Sequence, residues 1–389
     1  MTDLSSALPL DRRRMFQLAA VLGGSVALGE RSLAAPAAAG GGGAASAASS
    51  LKVAPGAIRL NGNEYWEGPV DDGTDAARSA VARSNYYDPA GERDALIQTV
   101  ATMERVGADH VVPWAGSGSP LARAVVGFCT PQRGLVTADP TFEVAWMVAG
   151  YLGAPVAKVP LRASDQAHDV RAMLAANPQA GLYYICNPNN PTGSLTPMED
   201  IVWLANAMPR DAVLLLDEAY LHFSHAASGM DLVRNGGNVI ILRTFSKIFG
   251  MAGMRMGLSI ARPELQARLM QYDGVIQTLQ LPVPALACAS ASLRRMEQIT
   301  ARREQNTQTR EKTAAFLSQR GLTVLPSAAN MLMVDWGKPA APIKAGFEAK
   351  GIAIGRSWPI WPTRSRITIG SPAEMERFCN TVDRVVSQA

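Results

Sequence analysis

The sequence predicts an α/β protein, with a large domain built on a mainly parallel sheet covered by helices and a smaller α+β domain at the C-terminus. Two observations predict it. Between residues 81 and 280, short apolar runs alternate with stretches of helical spacing; near residue 281, "LPVP" marks a break, followed by a long charged helix and short strands. Alternation of strand and helix implies crossover connections, and hence a sheet covered on both faces. Residues 51–80 read as an N-terminal arm, 81–280 as the large domain and 281–389 as the small one.

Residues 1–50 stand outside that fold. Arg12, Arg13 and Arg14 precede an apolar run from Met15 to Gly29, then small residues suited to signal peptidase. The run is shorter than the roughly 20 residues of a spanning helix, so a cleavable signal is expected and a stable membrane span is not. Arg13, Arg14 and Phe16 resemble a twin-arginine export signal, a receptor-read address that carries proteins out already folded. A periplasmic or otherwise exported protein follows; if the run is only a basic tail, the protein is cytoplasmic. "AAPAAAGGGGAASAASS" is a low-complexity linker with nothing to bury.

In the body, "GLVTA" (134–138), "GLYYIC" (181–186), "AVLLLD" (212–217) and "NVIILRT" (238–244) have the length and composition of buried strands. "TFEVAWMVAGYLG" and "MEDIVWLANAM" have helical spacing. Further on, one long helix is expected over 291–321, then strands at "MLMVDW" and "RITIG". A hydrophobic content of 48% is enough for a sizeable core. The net charge of +4 includes the three clustered arginines, which leaves the body nearly balanced and gives nucleic-acid binding no support. Cys129, Cys186, Cys288 and Cys379 show no C-x-x-C spacing and read as buried thiols, although export would permit a pair. His222 and His225 read as surface histidines, so no metal is expected.

In a parallel sheet, ligands bind beyond the carboxyl ends of the strands. Gly116, Ser117, Gly118 and Ser119 precede a helix, as a plain cap or as an anion site formed by free N–H groups. The segment lacks both the Walker lysine and the G-x-G-x-x-G spacing. "NPNNPTG" (187–193) places amides after one strand. Asp217 ends another, either capping a helix or holding a cation in the cleft. Lys247, within "TFSKIFGMAGMRMG", is either a snorkelling surface residue or an interior amine. A phosphate cradle, an Asp for a ring nitrogen, amide and phenol groups for a ring oxygen and a Schiff-base lysine are together what pyridoxal phosphate requires.

These residues resemble the fold type I aminotransferases of the aspartate aminotransferase superfamily, and within them the histidinol-phosphate aminotransferase branch. The likeness runs from "LNGNEYWEGP" (60–69) through "SNYYDPAG", "GSGSPL", "DPTF", "NPNNPTG", "LLLDEAY", "TFSKIFGMAGMRMG" and "ANMLMVDW" to "RITIG" (366–370). It implies pyridoxal 5'-phosphate as cofactor, with Lys247 as the Schiff-base lysine and proton shuttle, and Asp217 on the pyridinium nitrogen. Asn190 and Tyr220 are implied at the ring oxygen, and Phe142 stacked on the ring. Ser117, Gly118, Ser246 and Arg255 are implied at the phosphate, with Tyr86 reaching it from the partner of a homodimer. Arg366 is implied as the clamp on the substrate carboxylate, with Asn190 and Tyr65 as further substrate contacts.

The expected activity is amino transfer between an amino acid, or a histidinol-phosphate-like amine, and a 2-oxo acid by a ping-pong mechanism. Another reaction of the same cofactor is the alternative: lyase, racemase, decarboxylase or oxidase. A non-catalytic binding protein is the third reading, which the presence of both Lys247 and Asp217 opposes. One region departs from the family pattern. Where relatives carry an arginine directly after the "GIxI" strand, this chain has Gly355, with Arg356 one residue later. A shift of one residue in a strand turns the side chain to the other face. Trp358 and Trp361 are expected near the mouth of the site, which points to an aromatic or other bulky amino acid.

Overall fold

The computed structural model describes residues 53–388, so the export signal and linker expected over 1–50 lie outside the described residues. After β1 (Ile58–Leu60), helices α1 (Asp71–Val81) and α2 (Glu92–Glu104) lead to β2 (Val111–Trp114). Then come α3 (Gly118–Phe128), β3 (Leu135–Asp139), α4 (Val144–Leu152), β4 (Val156–Pro160), α5 (Val170–Ala176) and β5 (Leu182–Cys186). The large sheet is completed through α6 (Met198–Ala207), β6 (Val213–Asp217), α7 (Met230–Arg234), β7 (Val239–Thr244) and β8 (Gly257–Ile260). The four runs read as strands are β3, β5, β6 and β7, each within a residue of its expected limits.

These strands form a seven-stranded sheet in the order β2-β8-β7-β6-β5-β3-β4. From β7 to β4 all neighbours are parallel, and β8 is antiparallel to β7 and β2. Val213, Leu214, Leu215 and Leu216 of β6 are all buried. Such a continuously apolar strand is stable only with helices on both faces. β4 lies on one side of β3 and β5 on the other. The order therefore reverses there, which opens a crevice at the carboxyl ends.

The chain continues through α8 (Pro263–Leu269), α9 (Gly274–Leu279), α10 (Val283–Leu293) and α11 (Met296–Ser318). The last segment holds β9 (Thr323–Val324), β10 (Met331–Asp335), α12 (Ala340–Glu348), β11 (Ile352–Ile354), β12 (Arg364–Thr368) and α13 (Pro372–Gln388). The single helix expected over 291–321 is broken. Arg295 leaves helical geometry at φ −117° and ψ 43°, separating α10 from α11.

The apolar clusters do not divide at residue 281. Ala285, Leu286, Cys288 and Ala289 of α10 belong to the core of the large sheet, with α10 lying on α1 and α2. Gly73 permits that approach: a Cβ there would lie 2.5 Å from Ser292 Oγ. The second cluster joins Leu317, Leu332, Val334, Phe347 and Phe378 to Ile58 and Leu60 from the arm. β1 pairs in parallel with β11, Ile58 opposite Ile352, so the arm closes back onto the C-terminal layer. β10 serves both clusters, because alternate residues of a strand face opposite ways. Met331 joins the first cluster, while Leu332 and Val334 join the second. All four cysteines are free, three of them buried and Cys379 half-buried. Among the described residues no helix is long and apolar enough to cross a membrane, and no group of side chains could hold a metal ion.

Candidate active site

A cavity of about 600 Å³ opens at the carboxyl ends of the parallel strands. Its walls come from the segments following β3 (Thr141 to Val144), β5 (Asn190), β6 (Ala219, Tyr220) and β7 (Ser246, Lys247). The arm closes one side with Asn61 to Glu64, and the C-terminal layer closes another with Arg356, Trp358 and Arg366. Distant stretches of sequence meet there because each follows a strand that ends at the same edge.

Lys247 stands three residues beyond β7 and lines this cavity, so it is not a snorkelling surface lysine. Gly250 lets the chain turn away at φ +70°, where a Cβ would collide with the Gly68 carbonyl oxygen. Burial, with Arg366 and Arg255 nearby, brings the Lys247 ammonium down to about 8. The neutral amine, the form a nucleophile needs, is thus about a tenth of the population at pH 7 rather than a trace. Its Nζ lies 5.4 Å from the centre of the Tyr220 ring.

Asp217 ends β6, 3% exposed. Burial pushes its carboxyl up to about 6, opposed by the Ala219 N–H, the Tyr184 hydroxyl and the charge of Lys247. The Tyr184 hydroxyl donates to Oδ2 at 3.1 Å and the Ala219 N–H to Oδ1 at 3.1 Å. A buried carboxylate held so that it faces a cavity is a site for a cation.

Around the cavity's anionic end, Arg255 Nη1 donates to Ser246 Oγ at 3.3 Å and to the Ala252 carbonyl at 2.9 Å. Gly116, at φ +87°, leaves room for that guanidinium: a Cβ there would clash with Arg255 Nη2. α3 begins at Gly118 with no side-chain cap from Ser117, and a Cβ on Gly118 would meet nothing within 4 Å. Open space beside uncapped helix N–H groups and an arginine is a cradle for phosphate. Pyridoxal phosphate fits these residues: an anion cradle, a buried carboxylate for a protonated ring nitrogen, and a neutral amine.

The other end is held by a polar network. Arg366 Nη1 donates to Asn190 Oδ1 at 2.8 Å and Nη2 to the Asn61 carbonyl at 2.6 Å. Asn63 Nδ2 donates to the Tyr220 hydroxyl oxygen at 3.1 Å. Asn63 also binds Thr368 of β12, two residues beyond Arg366, in both directions: its N–H donates to Oγ1 at 2.9 Å and its Oδ1 accepts from that hydroxyl at 3.0 Å.

The family model for aminotransferase class I and II matches residues 55–382. The chain belongs to that family. It is a pyridoxal-phosphate-dependent transaminase, moving an amino group between an amino acid and a 2-oxo acid. The chain is similar to the aromatic amino acid aminotransferase of Rhodococcus jostii (strain RHA1): 34% identical, over 83% of this chain and 89% of that protein. It is also similar to the histidinol-phosphate aminotransferase of Symbiobacterium thermophilum, 31% identical over 85% of this chain and 91% of that one. Among solved structures, histidinol-phosphate aminotransferase from Sinorhizobium meliloti in complex with pyridoxal-5'-phosphate superposes with a TM-score of 0.77. The two chains are 27% identical, with 85% of this chain and 91% of that one covered.

The transaminase brings Ser117, Gly118, Phe142, Asn190, Asp217, Tyr220, Ser246, Lys247, Arg255 and Arg366 to one cavity. One expected residue lies elsewhere, and Tyr86, expected to act from a partner subunit, lies on the surface. Tyr65 is packed on Trp66, ring centroids 4.1 Å apart, with the Arg302 guanidinium 5.0 Å from its ring. The cavity takes the arm residues before it, Asn61 to Glu64, and not Tyr65. Tyr86 is 66% exposed on the loop between α1 and α2, outside this chain's cavity.

Other corrections concern the C-terminal layer and His222. β11 ends at Ile354, so the alternation of strand faces stops before Arg356, and its side chain does line the cavity. Trp358 lines it too, whereas Trp361 is not among the lining residues and its ring lies against the Arg364 guanidinium, 4.5 Å from the ring centre. His222 is not a surface histidine: it lies edge-on to Phe249, and burial lowers it to about 3. Sequence reasoning missed Tyr184, although a register argument reaches it. Cys186 of β5 pairs with Asp217 of β6, so Tyr184, two residues earlier, shares the Asp217 face.

Charging Lys247 in the folded chain is unfavourable below about pH 8, where folded and unfolded states both carry the proton. The displacement from 10.5 to about 8 corresponds to on the order of 3 kcal/mol. Cofactor-free Lys247→Met is therefore expected to be more stable than the parent at pH 7 by up to about 3 kcal/mol. The gap narrows as pH rises from 8 toward 10.5, because the folded parent sheds its proton there before the unfolded chain does. Urea unfolding at about pH 7 and about pH 9.5 measures it; a gap independent of pH contradicts the assignment.

Proposed function

We propose that this transaminase takes aromatic amino acids as amino donors. The observation that carries this reading is the cavity wall formed by Phe142, Val144, Met147 and Trp358, an apolar and partly aromatic face. Three of the similar relatives from Rhodococcus bear the name aromatic amino acid aminotransferase, which agrees with it. The histidinol-phosphate reading rests on other relatives that carry that name and on Arg356 in the cavity.

When bound, pyridoxal phosphate supplies an electron-accepting ring and an aldehyde carbon. Ser117, Gly118, Ser246 and Arg255 would hold its phosphate, and Asp217 would keep the ring nitrogen protonated. Tyr220 and Asn190 would hydrogen-bond the ring oxygen, and Phe142 would pack on the ring. Arg366 binds the substrate carboxylate. Its two Nη groups are oriented by Asn190 and Asn61, and its buried Nε has no partner among the described residues. Lys247 Nζ, in its neutral form, takes the proton from the substrate α-carbon and returns it on the other side of the transfer.

We further propose a homodimer, exported through the twin-arginine signal. Tyr86, Tyr87, Tyr272, Val275, Ile276 and Leu279 are exposed, an unusual concentration of large apolar groups. Arg93 Nε, at the start of α2, donates to the Thr278 carbonyl of α9 at 3.2 Å, which ties the two halves of that surface together. Such a face fits a second copy, from which Tyr86 would reach the phosphate.

Mixing the holoenzyme with single amino donors and following the cofactor's visible absorbance reads each half reaction alone. Phenylalanine, tyrosine and tryptophan are expected to exceed aspartate and histidinol phosphate by about 10-fold or more in kcat/KM. Histidinol phosphate as the best donor overturns the aromatic reading. Cell fractionation followed by light scattering tests the rest: twice the chain mass, in the periplasmic fraction, is expected. A single-chain mass confined to the cytoplasm contradicts both the dimer and the export.

A further inference from the structure

Phe142 lies against the cavity, and the next residue, Glu143, lies at the N-terminal boundary of α4 with φ −78° and ψ −13°. A carboxylate there is well placed to cap its own helix, yet its side chain makes no capping hydrogen bond. It reaches instead across the cavity to the C-terminal layer, where Oε2 meets Arg356 Nη2 at 2.6 Å. Both side chains are largely enclosed, 15% and 21% exposed, so the pair is screened less by solvent than a surface ion pair. The Arg356 guanidinium also lies 4.4 Å from the Trp358 ring centre, and Arg366 lies 5.9 Å from the same ring. Trp358 is 3% exposed and so held in place. Glu143, Arg356, Trp358 and Arg366 all line the one cavity.

The charges of this end can be counted. Glu143 is paired with Arg356, and Glu64 of the arm is paired with Arg59, which leaves the Arg366 guanidinium for a ligand bearing a single carboxylate. The groups sense one another: burial and the nearby charge of Arg356 bring Arg366 down to about 10, against Tyr220 and Glu143, which raise it. A ligand with a second negative group has to take Arg356 from Glu143 and leave Glu143 enclosed beside it, a like charge without its partner. A flat uncharged side chain meets no such obstacle and leaves the ion pair intact.

We infer that Glu143 is a specificity-determining residue: by pairing with Arg356 it turns acidic and phosphorylated side chains away and leaves the subsite to uncharged aromatic ones. The inference rests on the reading of Arg366 as the substrate-carboxylate clamp. Glu143 acts through Arg356 and touches no reacting atom.

Binding of two inert acids to the holoenzyme tests this without turnover. 3-Phenylpropanoate and glutarate each offer one carboxylate to Arg366, and they differ at the far end, a phenyl ring against a second carboxylate. Dissociation constants come from the shift in cofactor absorbance, with tryptophan fluorescence as a second signal. The parent is expected to prefer 3-phenylpropanoate. In Glu143→Gln the ratio of the two constants is expected to move about 10-fold or more toward glutarate, a change of about 1.4 kcal/mol. Adding Arg356→Met to that variant is expected to abolish the move. Arg356→Met alone, which keeps Glu143, is expected to shift the ratio further from glutarate. A ratio unchanged within about twofold in Glu143→Gln, or a gain that survives Arg356→Met, overturns the inference while leaving the transaminase reading intact. If the parent binds neither acid, the Arg366 assignment fails and the inference with it.

Discussion

Two ionisable groups of opposite sign, Asp217 and Lys247, are held out of water at the ends of neighbouring strands, and the rest of the molecule is organised around that constraint. Burial drives each toward its neutral form, the carboxyl up to about 6 and the ammonium down to about 8. An isolated buried charge is unfavourable by several kcal/mol, so a site of this kind exists only where the surroundings are rigid enough to impose it. The parallel centre of the sheet supplies that rigidity. β6 and β7 are apolar over most of their length and paired residue by residue, Asp217 opposite Leu242. Their carboxyl ends turn polar, so the strand ends concentrate the chemistry.

The arm and the C-terminal layer complete what the sheet begins. Arg366 stands on β12, which pairs with β10, and Thr368 on the same strand exchanges hydrogen bonds with Asn63 of the arm. Asn63 in turn holds the Tyr220 hydroxyl, and the Asn61 carbonyl holds Arg366. Arg366 and the Tyr220 phenol are therefore positioned by the same short segment. Asn63 takes φ +52°, a left-handed conformation asparagine tolerates better than most residues, which directs successive side chains into the cavity. Tyr65 then falls into the core, against Trp66 and beside Phe223.

What the sequence makes legible here is what depends on local pattern. β3, β5, β6 and β7 are runs of apolar residues ended by polar ones, and their limits are visible to within a residue. The polar residues at or after their ends are also adjacent to their strands in the chain, so Lys247, Asp217 and Asn190 can be assigned to one edge from the sequence alone. What is not legible depends on contacts between remote segments. Glu143 and Arg356 are far apart in the chain, and nothing local marks them as partners. The break between α10 and α11 is likewise hidden, because the sequence around Arg295 has no proline or glycine to announce it. Tyr184 is the intermediate case: its face follows from strand register, which the sequence implies only once the order of strands is fixed.

The central claim is that Lys247 is the amine that carries the cofactor. Reducing the holoenzyme with borohydride, digesting it and mapping the peptides by mass spectrometry tests that claim with no substrate present. The account predicts the added mass of the reduced cofactor on Lys247, within the segment that follows β7. The same mass on any other lysine, or its retention after Lys247→Ala, would contradict it.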